Sequence, residues 1–455
     1  MSEFNGKKIL VLGMARSGIA AAKLLLREGA EVTISDLKSR EAFGDDLNEI
    51  LKAGCRDELG REVSCELLKK QDLLVISPGV PIDAAPVKLA EENGIPVIGE
   101  LEMACRLVKG PMVAVTGTNG KTTTVTLLGE MFKAAGNEVY VCGNIGYPVS
   151  AAVLEAGDNA VIVAEVSSFQ LESIERFHPL SAAVLNITED HLNRHKTMKR
   201  YTELKKRVFE NQNENDIALI NMDDPLSEGL AEGLKAHTVY FSRKKEPEQG
   251  AFVRNGRIML RLNGAENDIC AAEDVYIPGP HNLENALAAS LIAYSRGVQP
   301  EVIAEVLKTF RGVEHRIEFV RELDGVRYIN DSKGTNTDST VKAVASMTRP
   351  TVLILGGSDK HVPFDAMAEY ILSSGMITHC VLMGQTGPQI RAALLKAGFT
   401  ALTDANDMKD AVEKSRALAV NGGNVLLSPA CASFDMFTGF EQRGEVFKQI
   451  VNGLE

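Results

Sequence analysis

An apolar strand running straight into a glycine-bearing turn occurs three times in this chain. The stretches are ILVLGMARSG (9–18), MVAVTGTNG (112–120) and TVLILGGSD (351–359), and each precedes a segment that reads as a helix. Strands alternating with helices restrict a chain to α/β architecture, with parallel sheets covered by helices. Ligands on such sheets bind beyond the carboxyl ends of the strands, where these three turns lie. The sequence-based expectation is three domains, each built on a mostly parallel sheet with flanking helices. A length of 455 residues fits that number, at roughly 100–200 residues per domain. The three stretches differ too much in sequence to be repeats.

Domain boundaries are expected near Gly99, after IPVIG, and near Gly312, giving domains over 1–99, 100–312 and 313–455. Within the middle domain, RNGR (254–257) sits between AFV and IMLRL and reads as a hairpin on an Asn-Gly turn. The segment 281–297 carries Leu283, Ala286, Leu287 and Leu291 at helical spacing, with Gly297 as its stop.

Net charge is −12, which argues against a nucleic-acid binder. It also requires that an anionic substrate be met by locally placed cations, N–H groups or metal. Seven cysteines (Cys55, Cys65, Cys105, Cys142, Cys270, Cys380, Cys431) are scattered without a C-x-x-C pair. Neither a zinc site nor a disulfide framework is expected, and a reducing cytosol fits. The apolar stretch after Lys7-Lys8 is short and ends at Arg16, so a buried first strand is expected there rather than a signal peptide. No run approaches the 18 apolar residues of a membrane span. A monomer is the expectation.

The middle stretch VTGTNGKTTT (115–124) has the context of a phosphate loop: a strand, a Gly-rich turn, Lys121, Thr122, then an apolar-periodic helix. The usual first Gly is absent, because Val115 stands in its place. Backbone N–H groups and the helix dipole favour anions at such a helix start. Lys121 can reach terminal phosphates and the Thr122 hydroxyl can hold Mg²⁺; a plain strand-to-helix turn is the alternative. Glu165 closes the buried strand VIVAE, where a carboxylate is costly unless it binds a metal or pairs with a base. A second strand, AAVLN, runs into TEDHLNRH. His191 and His195 are spaced i, i+4, a zinc-like spacing without a third ligand, and a Mg²⁺-nucleotide site fits better. By composition Lys205, Lys206 and Arg207, in YTELKKRVFE, read as the solvated face of a helix.

GTNGKTT, EVSSFQLE, NITEDHLNRH and the YxxxK helix, in this order, resemble the central domain of the Mur ligases of peptidoglycan synthesis. Folylpolyglutamate synthases share the shortened loop. LGMARSG, SPGVP, GNIG, PGPHNLENALAA, GVEHRIE, NDSKGTNTDST and SPACASFDMFTGFEQRG extend the resemblance over nearly the whole chain, toward the branch that adds D-glutamate. It implies Rossmann-like outer domains around a phosphate-loop ATPase-like centre. It also implies an ATP-dependent carboxylate–amine ligase joining D-glutamate to UDP-N-acetylmuramoyl-L-alanine through an acyl phosphate.

The resemblance further implies that Gly117, Thr118, Asn119, Gly120, Lys121, Thr122 and Thr123 cradle ATP, with Asn285, His315, Arg316 and Asp331 around the nucleotide. Thr122 and Glu165 hold one Mg²⁺; His191 and a CO₂-derived carbamate on Lys205 hold a second. Lys333 completes the catalytic set. Ala15, Arg16 and Ser17 meet the diphosphate of the UDP-substrate and Asp36 its uridine, while Ser77, Asn144 and Ser167 contact the remainder. Thr335 and Lys360 take one carboxylate of D-glutamate; Ser433 and the Phe440 backbone take the other.

Read from the residues alone, the first turn is a near miss to G-x-G-x-x-G, with Ala15 at the middle Gly and Asp36 eighteen residues after Gly18. Taken alone that pattern suggests a dinucleotide-binding dehydrogenase, a reading weakened by the missing middle Gly, and Asp36 is otherwise a turn residue closing its strand. Cys431 reads as a buried packing residue rather than a catalytic thiol. The rival readings are a ligase with a different acceptor, an NAD-dependent oxidoreductase, and a nucleotide-binding regulator without chemistry.

Overall fold

A computed structural model describes residues 2–455 except Gly44, Ile145, Lys360 and His361, and except the side chains of Asp45, Asn193 and Glu228. Three sheets organise the chain. The first has the order β3-β2-β1-β4-β5, from β1 (Lys8–Leu12), β2 (Glu31–Asp36), β3 (Arg56–Leu59), β4 (Leu73–Ile76) and β5 (Val97–Gly99). All its pairings are parallel. Ile9, Leu10 and Val11 are all buried, as expected of a strand covered on both faces.

The second sheet has nine strands, β14-β13-β12-β11-β10-β9-β6-β8-β7. They are β6 (Met112–Thr116), β7 (Val139–Gly143), β8 (Val161–Glu165), β9 (Ser181–Val184), β10 (Ile217–Asn221), β11 (His237–Ser242), β12 (Gly250–Arg254), β13 (Arg257–Leu262) and β14 (Ala265–Ala271). β6 lies centrally between β8 and β9, so the loop leaving it emerges between two other strand ends. Asn255 and Gly256 both have positive φ (50° and 74°), the backbone of a type I′ hairpin. The hairpin joins β12 to β13 as the Asn-Gly pair predicts. The antiparallel patch is not a separate sheet, because β12 pairs parallel with β11 and continues the large one.

The third sheet, β15-β16-β20-β17-β18-β19, comprises β15 (Glu318–Leu323), β16 (Val326–Asn330), β17 (Thr351–Leu355), β18 (Ile377–Leu382), β19 (Leu402–Asp404) and β20 (Asn424–Leu427). Only the edge pair β15/β16 is antiparallel. Along β17 the side chains alternate between two cores: Leu353 and Leu355 face one, Val352 and Ile354 the other. The fold is thus three-domain α/β with mostly parallel sheets. No helix among the described residues is long and apolar enough to cross a membrane.

The chain divides into two compact units, Met1–Val275 with Glu284–Thr309, and Tyr276–Leu283 with Phe310–Glu455. The first unit holds two sheets sharing one core, in which Val11, Leu24, Leu101 and Met103 join Ala152 and Val153. Two buried carboxylates on the connecting helix Glu100–Cys105 fix this joint. Glu102 accepts from the backbone N–H groups of Glu175 (2.9 Å), Arg176 (3.0 Å) and Phe177 (2.9 Å) and from Arg106 Nε (2.7 Å). Glu100 accepts from Ser150 N (2.7 Å) and Oγ (2.6 Å), at the start of helix Val149–Glu155. For Glu102 such bonds offset the cost of burial, whereas at Glu100 burial outweighs the Ser150 bonds and lifts the pKa above the ordinary carboxylate range. In the second unit, Gly279 approaches Ser346 so closely that a Cβ would lie 3.1 Å from the serine Cβ.

Candidate active site

The loop after β6 is fixed by its glycines and by the strand beside it. Gly117 has φ +149°, and a Cβ there would sit 3.0 Å from Leu185 Cβ. Gly120 has φ +86°, and a Cβ would overlap the Asn285 carboxamide oxygen. Asn186, just beyond β9, braces the loop: its carbonyl accepts from Thr118 N (2.9 Å) and its Oδ1 from Asn119 N (2.9 Å), while its Nδ2 donates to Asn119 O (3.0 Å). The loop then opens helix Lys121–Ala134, whose N-terminal N–H groups make an anion site. Lys121 Nζ donates to the Gly117 (2.9 Å) and Thr118 (2.8 Å) carbonyls. Thr123 Oγ1 is buried without a hydrogen-bond partner among the described residues.

Glu165, at the end of β8, meets this helix start. Thr122 Oγ1 donates to its Oε2 (2.8 Å) and Asn144 Nδ2 to its Oε1 (2.9 Å). Asn144, expected at the sugar–peptide part of the substrate, orients Glu165 in this structure. Ser167 N and Oγ both donate to Gln170 Oε1 at 3.0 Å.

The solvated-face reading of Lys205 is overturned. Lys205 is 1% exposed, and its Nζ donates to the same Gly117 carbonyl (2.8 Å) that Lys121 holds. It also lies 4.5 Å from the centre of the Tyr201 ring, whose hydroxyl is 3.3 Å from Thr118 Oγ1. Burial, followed by the neighbouring Lys121 charge, pulls the Lys205 pKa well below the usual lysine range. Lys206 turns elsewhere and donates to the Glu232 carbonyl (2.6 Å). Arg207 is spent on the carbonyls of Leu171 (2.5 Å), Glu172 (2.9 Å) and Ile174 (2.8 Å). Periodicity carried the missed signal: Tyr201, Leu204, Lys205 and Val208 form one buried stripe of helical spacing.

His191 has φ +54° and packs edge-on against Phe169, with ring centroids 4.8 Å apart. His195 is buried, with Nε2 2.9 Å from Ser168 Oγ, and burial pulls its pKa down to about 4. Among the described residues these two do not gather a third His, Cys, Asp or Glu ligand.

In the first sheet, Gly13 follows β1 with φ +87°, and a Cβ on Gly18 would overlap its carbonyl. Ser77 Oγ donates to that carbonyl (2.6 Å). Ala15, Arg16 and Ser17 form the entry of helix Arg16–Arg27. Asp36 ties this turn to β2, accepting from Met14 N (2.8 Å) and Lys38 N (2.9 Å). It lines a cavity of about 610 Å³ with Leu37, Arg61, Val80 and Pro81, at the carboxyl ends of β1 and β2.

In the second unit, Asp331 follows β16 and is fully buried. Its carboxylate accepts from Ser428 Oγ (2.7 Å) and Ile317 N (3.2 Å). Burial lifts its pKa to about 6, opposed by the Ser428 bond and the Arg316 charge. His315, at φ +63°, places Nδ1 3.0 Å from Asn330 Nδ2 and accepts at its carbonyl from Lys333 N (3.0 Å). Lys333 Nζ lies 5.3 Å from the Phe440 ring centre. Thr335 N donates to Lys333 O (2.8 Å), and the Ser433 carbonyl accepts from Met436 N (3.2 Å) and Phe437 N (2.8 Å). The structure thus gathers His315, Arg316, Asp331, Lys333 and Phe440. Lys360 lies outside the described residues. Cys431 is buried with Sγ 3.2 Å from Thr386 Oγ1, in a packing position.

Comparison with known proteins matches residues 7–99 to the family described as Mur ligase MurD-like, N-terminal domain, 115–293 to Mur ligase middle domain, and 315–431 to Mur ligase, glutamate ligase domain. The chain is 48% identical over 454 residues to the UDP-N-acetylmuramoylalanine–D-glutamate ligase of Thermoanaerobacter sp. (strain X514), covering 99% of each chain. It is 43% identical to the enzyme of the same name from Clostridioides difficile (strain 630), over 100% of both. Its fold is similar to that of the UDP-N-acetylmuramate-alanine ligase MurC of Thermotoga maritima, with a TM-score of 0.61, 19% identity, and 98% and 99% of the two chains covered. With a phosphate loop built on β6 and full-length similarity of this order, the chain belongs to the Mur ligase family of ATP-dependent ligases.

Proposed function

We propose that this chain joins D-glutamate to UDP-N-acetylmuramoyl-L-alanine, with ATP as co-substrate, in the synthesis of peptidoglycan precursors. The observation that carries the reading is full-length identity of 43–48% to curated D-glutamate-adding ligases. A carboxylate is a poor electrophile, and ATP supplies a remedy: phosphorylating the alanine carboxylate gives an acyl phosphate. The D-glutamate amine attacks its carbonyl carbon, the amide bond forms, and phosphate leaves. Lys121 and the N–H groups at the start of helix Lys121–Ala134 neutralise charge on the phosphoryl oxygens.

The donor set fits Mg²⁺. The Thr122 hydroxyl and Glu165 carboxylate offer hard oxygen ligands 2.8 Å apart. As an ammonium, Lys205 would repel the ion; as a carbamate it becomes an anionic oxygen ligand, with His191 as its companion. Its burial beside Lys121 favours the neutral amine that reacts with CO₂. Mg²⁺ there would offset charge on the transferring phosphoryl group. Asn144 keeps Glu165 aimed at the loop, and Asn285 closes the loop's other side. In the first sheet, the cavity beside Asp36 accommodates the uridine end. In the second unit, Asp331 and Lys333 are the residues assigned to the nucleotide, and Thr335, Lys360, Ser433 and the Phe440 backbone those assigned to the two glutamate carboxylates.

The test is ATP-dependent phosphate release with UDP-N-acetylmuramoyl-L-alanine, comparing D-Glu with L-Glu, L-Ala and L-Lys. Release with D-Glu is expected. Release with another amino acid and none with D-Glu overturns the reading in favour of a Mur ligase with a different acceptor.

A further inference from the structure

Arg443 is among the largest fully buried side chains in the protein. It lies in helix Phe440–Asn452, and its guanidinium faces four oxygens from separate segments. Nε donates to Ser332 Oγ (3.0 Å) and Nη2 to Ser332 O (2.7 Å), while Nη1 donates to Cys431 O (3.0 Å) and Ala432 O (3.2 Å). Ser332 Oγ in turn donates to Phe440 O (2.8 Å), and Ala432 O also accepts from Ser358 N (2.8 Å). A Cβ on Gly357 would come within 3.2 Å of Nη1. The fork therefore ties the segment at 332 to that at 431–432, and through Ser332 Oγ and Ala432 O the tie reaches Phe440 and Ser358.

A buried guanidinium is expensive to desolvate, and an apolar side chain of similar volume would fill the space at lower cost. Its partners here are all neutral oxygens, and burial pulls its pKa down to about 10, so it stays charged near neutrality. The backbone it grips is itself unfavourable: Ala430, next to Cys431, has φ +61°. Strained, irregular backbone persists where surrounding structure over-determines it, and such places cluster at ligand clamps. Thr335 and Ser433 lie within three residues of the segments the fork bonds, and the Phe440 carbonyl accepts from Ser332 Oγ, which the fork holds.

We propose that Arg443 is a positioning residue for the acceptor amino acid, holding in register the segments that grip its two carboxylates. The inference rests on the reading above that Thr335, Ser433 and Phe440 form the acceptor site. Lysine cannot replace the fork, because a single ammonium does not span four acceptors in one plane.

Steady-state kinetics of Arg443→Lys test this, beside the milder Ser332→Ala, which removes only the hydroxyl between Nε and the Phe440 carbonyl. The expected result is a D-glutamate KM raised on the order of 10²-fold in Arg443→Lys, the scale set by a misplacement of about 1 Å. The KM for UDP-N-acetylmuramoyl-L-alanine should stay within about twofold. Ser332→Ala should raise the D-glutamate KM by a smaller factor, and the double variant should show less than the product of the two effects. A folded Arg443→Lys or Ser332→Ala protein whose KM for D-glutamate stays at the wild-type value, with only a lowered Tm, overturns the proposal. So does a parallel rise in both KM values. Wild-type protein that releases phosphate with another amino acid refutes the acceptor assignment instead, and the same comparison made with that amino acid still decides the role of Arg443.

Discussion

Replacing Asp331 with Asn should make the protein more stable and less active, and the gain should depend on pH. Burial holds the Asp331 carboxyl at about 6 in the folded state, against an ordinary value of 3.8. The folded state therefore keeps a proton that the unfolded chain has already released. Asp331 contributes most favourably below about pH 4, loses that contribution as pH rises through about 6, and is a constant burden above it. The burden is about 3 kcal/mol, from about 1.4 kcal/mol per tenfold change in proton affinity. Asn cannot ionise, retains an acceptor for the Ile317 N–H, and can donate to Ser428 Oγ, whose own hydroxyl then turns to Thr340 Oγ1 at 3.0 Å. The variant should match the wild type near pH 4.5 and surpass it near pH 7.5. For a unit of this size, 3 kcal/mol corresponds to a Tm shift of about 6–12 °C. The chain has no tryptophan, so far-UV circular dichroism is the suitable probe. Equal Tm differences at the two pH values would refute the reasoning. Phosphate release should fall at both, the stability–activity trade-off expected of a strained functional carboxylate.

Lys205→Ala should cost several kcal/mol of transition-state stabilisation, or on the order of 10²-fold or more in phosphate release. Added bicarbonate or short-chain acids should partly restore it, whereas Lys206→Ala should stay near the wild-type rate; the reverse pattern would move the carbamate to Lys206. Gly120→Ala and Gly136→Ala make a matched pair, since both glycines have φ +86° but only Gly120 meets a neighbour, Asn285. Each should lose about 1–3 kcal/mol of stability from the left-handed backbone, but only Gly120→Ala should also weaken ATP binding, by about tenfold or more, as measured by titration calorimetry.

Much of this architecture was legible because local chemistry determines it. The three strand–glycine turns specify parallel sheets, and the Asn-Gly pair at 255–256 specifies its hairpin. What escaped was charge hidden inside an apolar stripe. Lys205 sits beside Tyr201 and Leu204, and Arg443 shares the buried face of its helix with Gly444, Phe447 and Val451. Composition assigns both cations to solvent, because the carbonyls that receive them come from segments distant in sequence. Gly117 is 88 positions from Lys205, and Ser332 is 111 from Arg443. The tie from Asn144 to Glu165 was hidden for a related reason: it depends on the adjacency of β7 and β8, which no local pattern announces.

The segment Tyr276–Leu283 has a practical consequence. It belongs with Phe310–Glu455 although twenty-six residues of the other unit, Glu284–Thr309, intervene. A chimera made at a single junction near residue 310 would join the transplanted run to the recipient's version of Tyr276–Leu283, leaving its own strip behind in the donor. Exchanging acceptor specificity between relatives therefore calls for two grafts made together, the short strip and the long C-terminal run, with the start of helix Pro280–Ser295 travelling with the strip.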